Sequence, residues 1–459
     1  MIAVPLTRVL VQTLRSLHGD ILAPHVVRST KLHIADSTGI ALAGRREAVL
    51  MSILLDAVGP LSVGAAHGCS VLGGTERLPL PAAAFANAAL AHLLDYDDIH
   101  DLARLHPTTV TFPAALAAAE LVGAHGDRIV SAVALGNELM CRLALLCSPT
   151  AKGPGADWFL TQLFGYAGAA LAAGIVLGLT DDELVSAIGF AYMQSAGGKE
   201  AGFGVGSNAR AIYPAFAAMG GMTAALLARS GLVGPEGSLD GAAGLLRIYL
   251  GLESTPELRK QLLQTERWHA TDTSFKPWPC CRLSHPYVAA ALQLQAHTDF
   301  RKIERVVVSV NGSANRLCQP LAQRRRPQTL QDAKYSIPYM TAFSLVHGEV
   351  TLANLHEASL ADVAVLALAD RIEVDASLPD NPGHPPARIR IELPGESKTS
   401  GEISSPLLEL DTSQVHSKFI DCASYAGHAD AQGLWRMLLE LEQVSAADFL
   451  NAARIPPSA

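Results

Sequence analysis

The chain has 459 residues, with 43 Asp and Glu against 35 Lys and Arg. That mildly acidic balance excludes the broad basic face a nucleic-acid partner requires. Seven cysteines without regular spacing and without a CxxC pair, in a chain with ample apolar material for a core, exclude a disulfide scaffold and point to a reduced, cytoplasmic protein.

The first twenty residues, MIAVPLTRVLVQTLRSLHGD, carry Arg8 and Arg15 inside the apolar stretch. They read as an amphipathic helix and not as a signal peptide. From Val26 to about Leu262 the text is nearly all helix, rich in Ala and Leu, with joints near Gly59, Gly126, Gly153, Gly178 and Gly234. Small residues between Gly165 and Gly174 let neighbouring helix backbones approach closely, a core feature in this context. The longest apolar run, Phe164 to Leu179, falls short of the roughly 18 to 20 residues a bilayer crossing needs, so no membrane partner is expected.

Two apolar runs, Ala82 to Leu94 and Phe112 to Val122, read as buried helices. Between them crowd Asp95, Asp97, Asp98, His100, Asp101, Arg104 and His106. Charges at the end of an apolar helix must be solvated, paired or set in a cavity, because an isolated buried charge is too costly. By residue type alone an acidic surface loop and a functional site are balanced readings. The Gly-rich segment from Gly197 to Arg210 reads as a loop over such a site; no strand precedes it and it lacks a lysine-serine ending, so it is no phosphate loop. Its Lys199 reads as a solvated lysine before a substrate contact.

The pattern changes after Trp268. Arg305 to Val310, Arg371 to Val374 and Arg388 to Leu393 read as half-buried strands, with helical text at Ala333 to Val346 and Leu360 to Ala369. After Ser405 the text turns helical again, and Ala431 to Leu450 returns to the first domain. The fold class is therefore mainly α: a large all-α helical domain, residues 1–267 and 405–459, plus a smaller α+β domain, residues 268–404. About 130 residues is an ordinary size for one domain.

Three ordered blocks carry a family resemblance. FANAALAHLLDYDDIH with HPTTVTFPAALAAAE, KPWPCCRLSHP from Lys276, and DAKYSIPYMTAFSLVHG from Asp332 resemble the MmgE/PrpD family, whose signatures read F-x-N-G-x-x-x-H-x-x-D-[FY]-D-D-x-H, K-P-[YFW]-P-x-C-x-x-x-H-P and D-A-[KR]-[FY]-S-[LI]-P-Y. The resemblance implies a helical domain with an α+β lid, a homodimer, a small di- or tricarboxylate substrate, and no metal or other cofactor. It implies active-site roles for Asp95 and His106, with the alternative that His106 caps the following helix and Asp95 accepts backbone donors. Lys276 and His285 match positions that reach into the cleft, with Cys281 between them. The alternatives are a lysine that snorkels to solvent and a histidine that caps a helix.

Two departures bear on activity. Phe159 and Leu160 stand where the dehydratases and decarboxylases carry His-Pro, and Arg210 and Tyr213 replace a Lys and a His. Arginine grips a carboxylate with two parallel hydrogen bonds but does not exchange protons, so Arg210 suits binding while Tyr213 supplies a phenolic donor. Apolar Phe159 and Leu160 dry one side of the pocket. The leading expectation is a 2-methylcitrate dehydratase-like lyase acting by proton transfer. A cis-aconitate decarboxylase-like lyase, an iminodisuccinate epimerase-like isomerase and a non-catalytic carboxylate-binding relative remain as alternatives.

Overall fold

Ala- and Leu-rich text with few β-branched runs builds helices that pack through small side chains, and the first 260 residues do this. The computed structural model describes residues 4–18, 22–59, 68–147, 152–203, 205–380, 386–400, 403 and 410–456, with the side chains of residues 18, 48, 49 and 203 outside that description. Helices α1 (Leu6–His18), α2 (Pro24–Gly44) and α3 (Ala48–Val58) precede a two-stranded ribbon, β1 (Cys69–Ser70) and β2 (Arg77–Leu78). Then follow α4 (Leu80–His92), α5 (Thr108–Val122), α6 (Gly126–Ala144), α7 (Leu160–Leu177), α8 (Asp181–Gln194), α9 (Glu200–Phe203), α10 (Ala209–Arg229), α11 (Leu245–Leu250) and α12 (Pro256–Leu263). Left-handed glycines Gly123 and Gly178 close α5 and α7, where a side chain would meet strain. Thr180 caps α8 by accepting from the Glu183 amide while the Glu183 carboxylate accepts from the Thr180 amide.

The second unit holds α13 (His285–Gln295), β3 (Arg305–Ser309), α14 (Gly312–Asn315), α15 (Leu321–Arg325), α16 (Leu330–Lys334), α17 (Ile337–His347), α18 (Val363–Ala369), β4 (Ile372–Asp375), β5 (Arg388–Leu393) and β6 (Glu396–Thr399). Its sheet runs β4-β3-β5-β6, with β3 and β4 parallel and the other pairs antiparallel. The protein is thus mainly α with a smaller α+β unit. The helical text expected from Ala333 to Val346 splits into α16 and α17. The break falls at Tyr335 and Ser336, where the Ser336 hydroxyl caps α17 by accepting from the Tyr339 amide at 3.0 Å. Strand β6 escapes the sequence pattern because Glu396–Thr399 is polar throughout.

One buried cluster joins residues between Leu6 and Phe275 with Val415 to Ala453; a second runs from Cys280 to Ile403. Ser405 lies outside the described residues, and the chain reappears as α19 (Thr412–Tyr425), packed on α2, followed by α20 (Ala431–Leu439) and α21 (Ala446–Ala452). One expectation is corrected. Among the described residues α7 and α10 are long and apolar enough to cross a membrane by length and composition, because the helix that forms around the apolar run extends to 18 residues. Their apolar windows are 89% and 67% buried inside the fold, which makes them core helices.

Helices α7 and α10 approach so closely that a Cβ at Gly221 would lie 2.4 Å from the Ala169 Cβ and 2.6 Å from the Ala170 nitrogen. Gly221→Ala is expected to cost about 1–3 kcal/mol, read as a lower urea midpoint; an unchanged midpoint would contradict this packing.

Candidate active site

The segment between α4 and α5 folds into the protein instead of running over its surface. Asp95 takes a left-handed backbone conformation, φ 50°, which aspartate tolerates better than most residues. Ile99 and Ser274 exchange backbone hydrogen bonds at 2.9 and 2.8 Å, and the His100 amide donates to the Leu105 carbonyl at 2.9 Å. In consequence Asp95, Asp97, Asp98 and His100 are all buried.

Buried acids require cations and donors, and the α+β unit brings one. Lys276 Nζ donates to Asp95 Oδ1 at 2.5 Å and to the Asp95 carbonyl at 2.9 Å, and stands 3.8 Å from Asp97 Oδ1. Lys276 is 0% exposed, so it does not snorkel. Burial alone would raise the Asp95 carboxyl, but Lys276, backed by His92 and His106, holds it well below the usual carboxylate range. Burial likewise pulls the ammonium down, and Asp95 and Asp97 together lift it above its ordinary value. Both members of the pair are charged at neutral pH.

Asp97 stands between two histidines and is hydrogen-bonded to His92. Its Oδ2 lies 2.8 Å from His92 Nδ1 and 3.4 Å from His106 Nδ1. His106 Nδ1 also lies 2.6 Å from the Asp98 carbonyl. A carbonyl only accepts, so the proton sits on Nδ1 and the neutral ring keeps Nε2 as a bare base. Burial moves the His106 imidazolium below the ordinary histidine value, with Asp97 opposing. The His106 side chain is 12% exposed against 1% for His92 and Asp97, so it is the histidine of this pair that can be reached.

Thr161, at the start of α7, links the base to a phenol: its Oγ1 accepts the His106 amide at 2.9 Å and the Tyr213 hydroxyl at 3.3 Å. Burial pushes the Tyr213 phenol far up, leaving it a donor. Phe159 stacks on Tyr213, ring centroids 4.4 Å apart at 21°, which makes that wall apolar. Arg210, one turn before Tyr213 on α10, lies with Cζ 3.6 Å from the Tyr335 ring centre, donates Nη1 to the Gly202 carbonyl at 2.9 Å, and points Nη2 at Cys281 Sγ, 3.6 Å away. Burial raises the Cys280 and Cys281 thiols, so neither is a ready thiolate.

His285 is buried with both ring nitrogens engaged, Nε2 donating to the Cys280 carbonyl at 3.1 Å and Nδ1 facing Arg282 Nη1 at 3.4 Å. Arg282 in turn grips Asp101 with two bonds of 2.9 and 3.0 Å. Lys199 is no solvated lysine: its Nζ donates to the Ala156 carbonyl at 2.7 Å, and burial, with Arg104, Arg316 and Arg210 nearby, pushes it down to about 8.

The structure thus gathers Asp95, His106, Tyr213, Arg210, Lys276 and Cys281 and sets His285 inside the second core. Residue types did not single out His92, Thr161 or Tyr335, and showed Asp97 only as one of the acids of the knot. The available signal for His92 was its place one turn before Asp95. The donor atoms of His92, Asp97 and His106 lie within 4.8 Å of one another, a set that could hold a metal ion. The Lys276 ammonium beside Asp97 already supplies a positive charge there, and both Nδ1 atoms are committed to oxygen acceptors. A hydrogen-bonded cluster fits these residues better than a metal centre.

Comparison with known proteins places this site in context. Residues 8–257 match the MmgE/PrpD N-terminal domain and residues 278–443 the MmgE/PrpD C-terminal domain. A cis-aconitate decarboxylase-like protein of Aspergillus oryzae is 32% identical over 358 residues, 71% of each chain. Cis-aconitate decarboxylase of Aspergillus terreus is 28% identical over 363 residues, 74% of this chain and 73% of the relative, and that of Mus musculus 26% over 373 residues, 78% and 72%. These relatives support a lyase-type function.

Removing one partner of a buried ion pair strands the other charge. Lys276→Met is expected to cost about 3–5 kcal/mol in urea unfolding, and adding Asp95→Asn is expected to recover at least half of that loss. Equal losses in the single and double variants would contradict the pairing.

Proposed function

The chain belongs to the MmgE/PrpD family, and on that premise we propose that it is a lyase working without an organic or metal cofactor, in which neutral His106 takes a proton from a carbon beside a carboxylate of a small di- or tricarboxylate. The observation that carries this reading is the 2.6 Å contact from His106 Nδ1 to the Asp98 carbonyl, which leaves Nε2 as a base at the reachable edge of the knot. Loss of the carbon proton builds an enolate-like dianion, which needs positive charge and donors held ready for it. Arg210, permanently charged, binds a carboxylate; Lys276 sets the field around Asp95; Tyr213 donates to a departing hydroxyl in a dehydration. His285 takes no part in substrate binding in this reading, since its nitrogens are spent inside the second core.

Decarboxylation is the second reading, favoured by the named activity of the relatives. There the C–C bond breaks, carbon dioxide leaves, and the electron pair left on carbon takes a proton from an acid. The two readings demand opposite forms of His106. A base must be neutral, so a dehydration rate falls as pH drops through the depressed His106 pKa, below 6.5. An acid must be the imidazolium, so a decarboxylation rate rises over the same window.

His106→Gln is expected to lower kcat by about 10²–10⁴ with KM little changed, and chelator treatment is expected to leave wild-type turnover intact. A His106→Gln enzyme turning over a carboxylate panel at the wild-type rate would sink the assignment.

A further inference from the structure

We propose that His92 is a positioning residue that holds the Asp97 carboxylate away from His106, so that the proton-transfer ring rests on a neutral main-chain carbonyl instead of an anion. One carboxylate faces two imidazoles. Asp97 Oδ2 takes a hydrogen bond from His92 Nδ1 at 2.8 Å, whereas His106 Nδ1, 3.4 Å from the same oxygen, gives its proton to the Asp98 carbonyl at 2.6 Å.

The bond to His92 is fixed from both ends. His92 stands in the last turn of α4 and is 1% exposed, as is Asp97. Its ring meets His106 edge to face at 5.2 Å and Tyr213 at 4.9 Å, which sets its plane. His92 Nε2 is buried without a hydrogen-bond partner. A proton there would lack an acceptor, so the ring carries it on Nδ1, towards Asp97. Asp97 Oδ1 is likewise buried without a partner and lies 3.8 Å from Lys276 Nζ. The His92 contact is therefore the one side-chain hydrogen bond of Asp97 among the described residues. With that donor gone, a movement of about 0.5 Å brings the carboxylate within hydrogen-bond reach of His106 Nδ1.

The choice of acceptor matters because a carboxylate on the Nδ1–H favours the imidazolium more than a carbonyl does, charge-assisted bonds being about twice as strong as neutral ones. The charged and titratable groups facing His106 are His92 on α4, Asp95 and Asp97 in the knot and Lys276 in the α+β unit, with Tyr213 on α10 linked to it through Thr161. Burial holds His106 below the ordinary histidine value against the pull of Asp97. His92 keeps that pull at a distance, while the carboxylate stays close enough to stabilise the imidazolium once it forms.

The inference rests on His106 as the proton-transfer group, and its test has a readout independent of turnover: the NMR titration of His106, assigned by its loss in His106→Gln. His92→Phe keeps an aromatic ring against Tyr213 and removes the donor. The His106 titration is expected to move up by about 1 pH unit or more, and the limb of the kcat/KM profile set by His106 to move up with it. His92→Asn, whose side-chain amide still donates to Asp97, is expected to titrate as wild type does. In an Asp97→Asn background His92→Phe is expected to change nothing, since no carboxylate is left to release. If His92→Phe does not fold, His92→Leu is titrated in its place with the same expected rise. An unmoved or lowered His106 titration in the folded variant overturns the proposal. So does an equal rise in His92→Phe and His92→Asn, which would trace the effect to the charge of His92 and not to its hold on Asp97. A raised titration together with a fully active His106→Gln enzyme leaves the role of His92 in place and removes the catalytic reading instead.

Discussion

The ion pair between Lys276 and Asp95 is the contact on which the rest of the site depends. It joins the helical core to the α+β core through a 2.5 Å bond, with side chains only 0% and 4% exposed. Two charges taken out of water cost several kcal/mol each, and their attraction repays this only when the geometry is good and the remaining donors and acceptors are used. The ammonium side meets that condition, while Asp95 Oδ2 has no hydrogen-bond partner. Lys276 spends a second bond on the Asp95 carbonyl, and the left-handed turn at Asp95 lets one residue offer both oxygens to one ammonium. The Ile99–Ser274 bridge then fixes the two segments against each other. Without the second core the knot of acids would carry uncompensated negative charge, so fold and site are one electrostatic problem.

Hydrogen-bond direction settles much of the remaining chemistry. Carbonyl and carboxylate oxygens accept, which places protons on His92 Nδ1 and His106 Nδ1. Asp97 is hydrogen-bonded to His92 and lies 3.4 Å from His106 Nδ1, and Thr161 ties the backbone of His106 to the hydroxyl of Tyr213. Phe159 stacks on Tyr213 and leaves an apolar wall. The proposed reading assigns proton transfer to His106, beside that wall.

Much of the fold was legible because helix text dominated by Ala and Leu and clean two-residue alternation are local signals. β5 was read at Arg388–Leu393 residue for residue, β3 within one residue at one end, and β4 within one residue at each end. β6 was not, since a polar edge strand has no alternation to show. In the site, the stretch from Asp95 to His106 was visible as chemistry, but the partners that define each role lie far off in the chain: Lys276 for Asp95, Arg282 for Asp101, Thr161 for His106. Residue types alone also favoured solvated lysines at Lys276 and Lys199, and both are bonded inward. Those outcomes depend on tertiary burial, which no local pattern encodes.

The central claim is that His106 moves a proton at a substrate carbon beside a carboxylate. NMR in heavy water tests it directly, following solvent deuterium at that carbon in recovered substrate and product for wild type and His106→Gln. The account predicts deuterium at one carbon position with wild type and its loss in the variant, while carboxylate binding persists in both. Deuterium incorporation at the same rate in both proteins would contradict it.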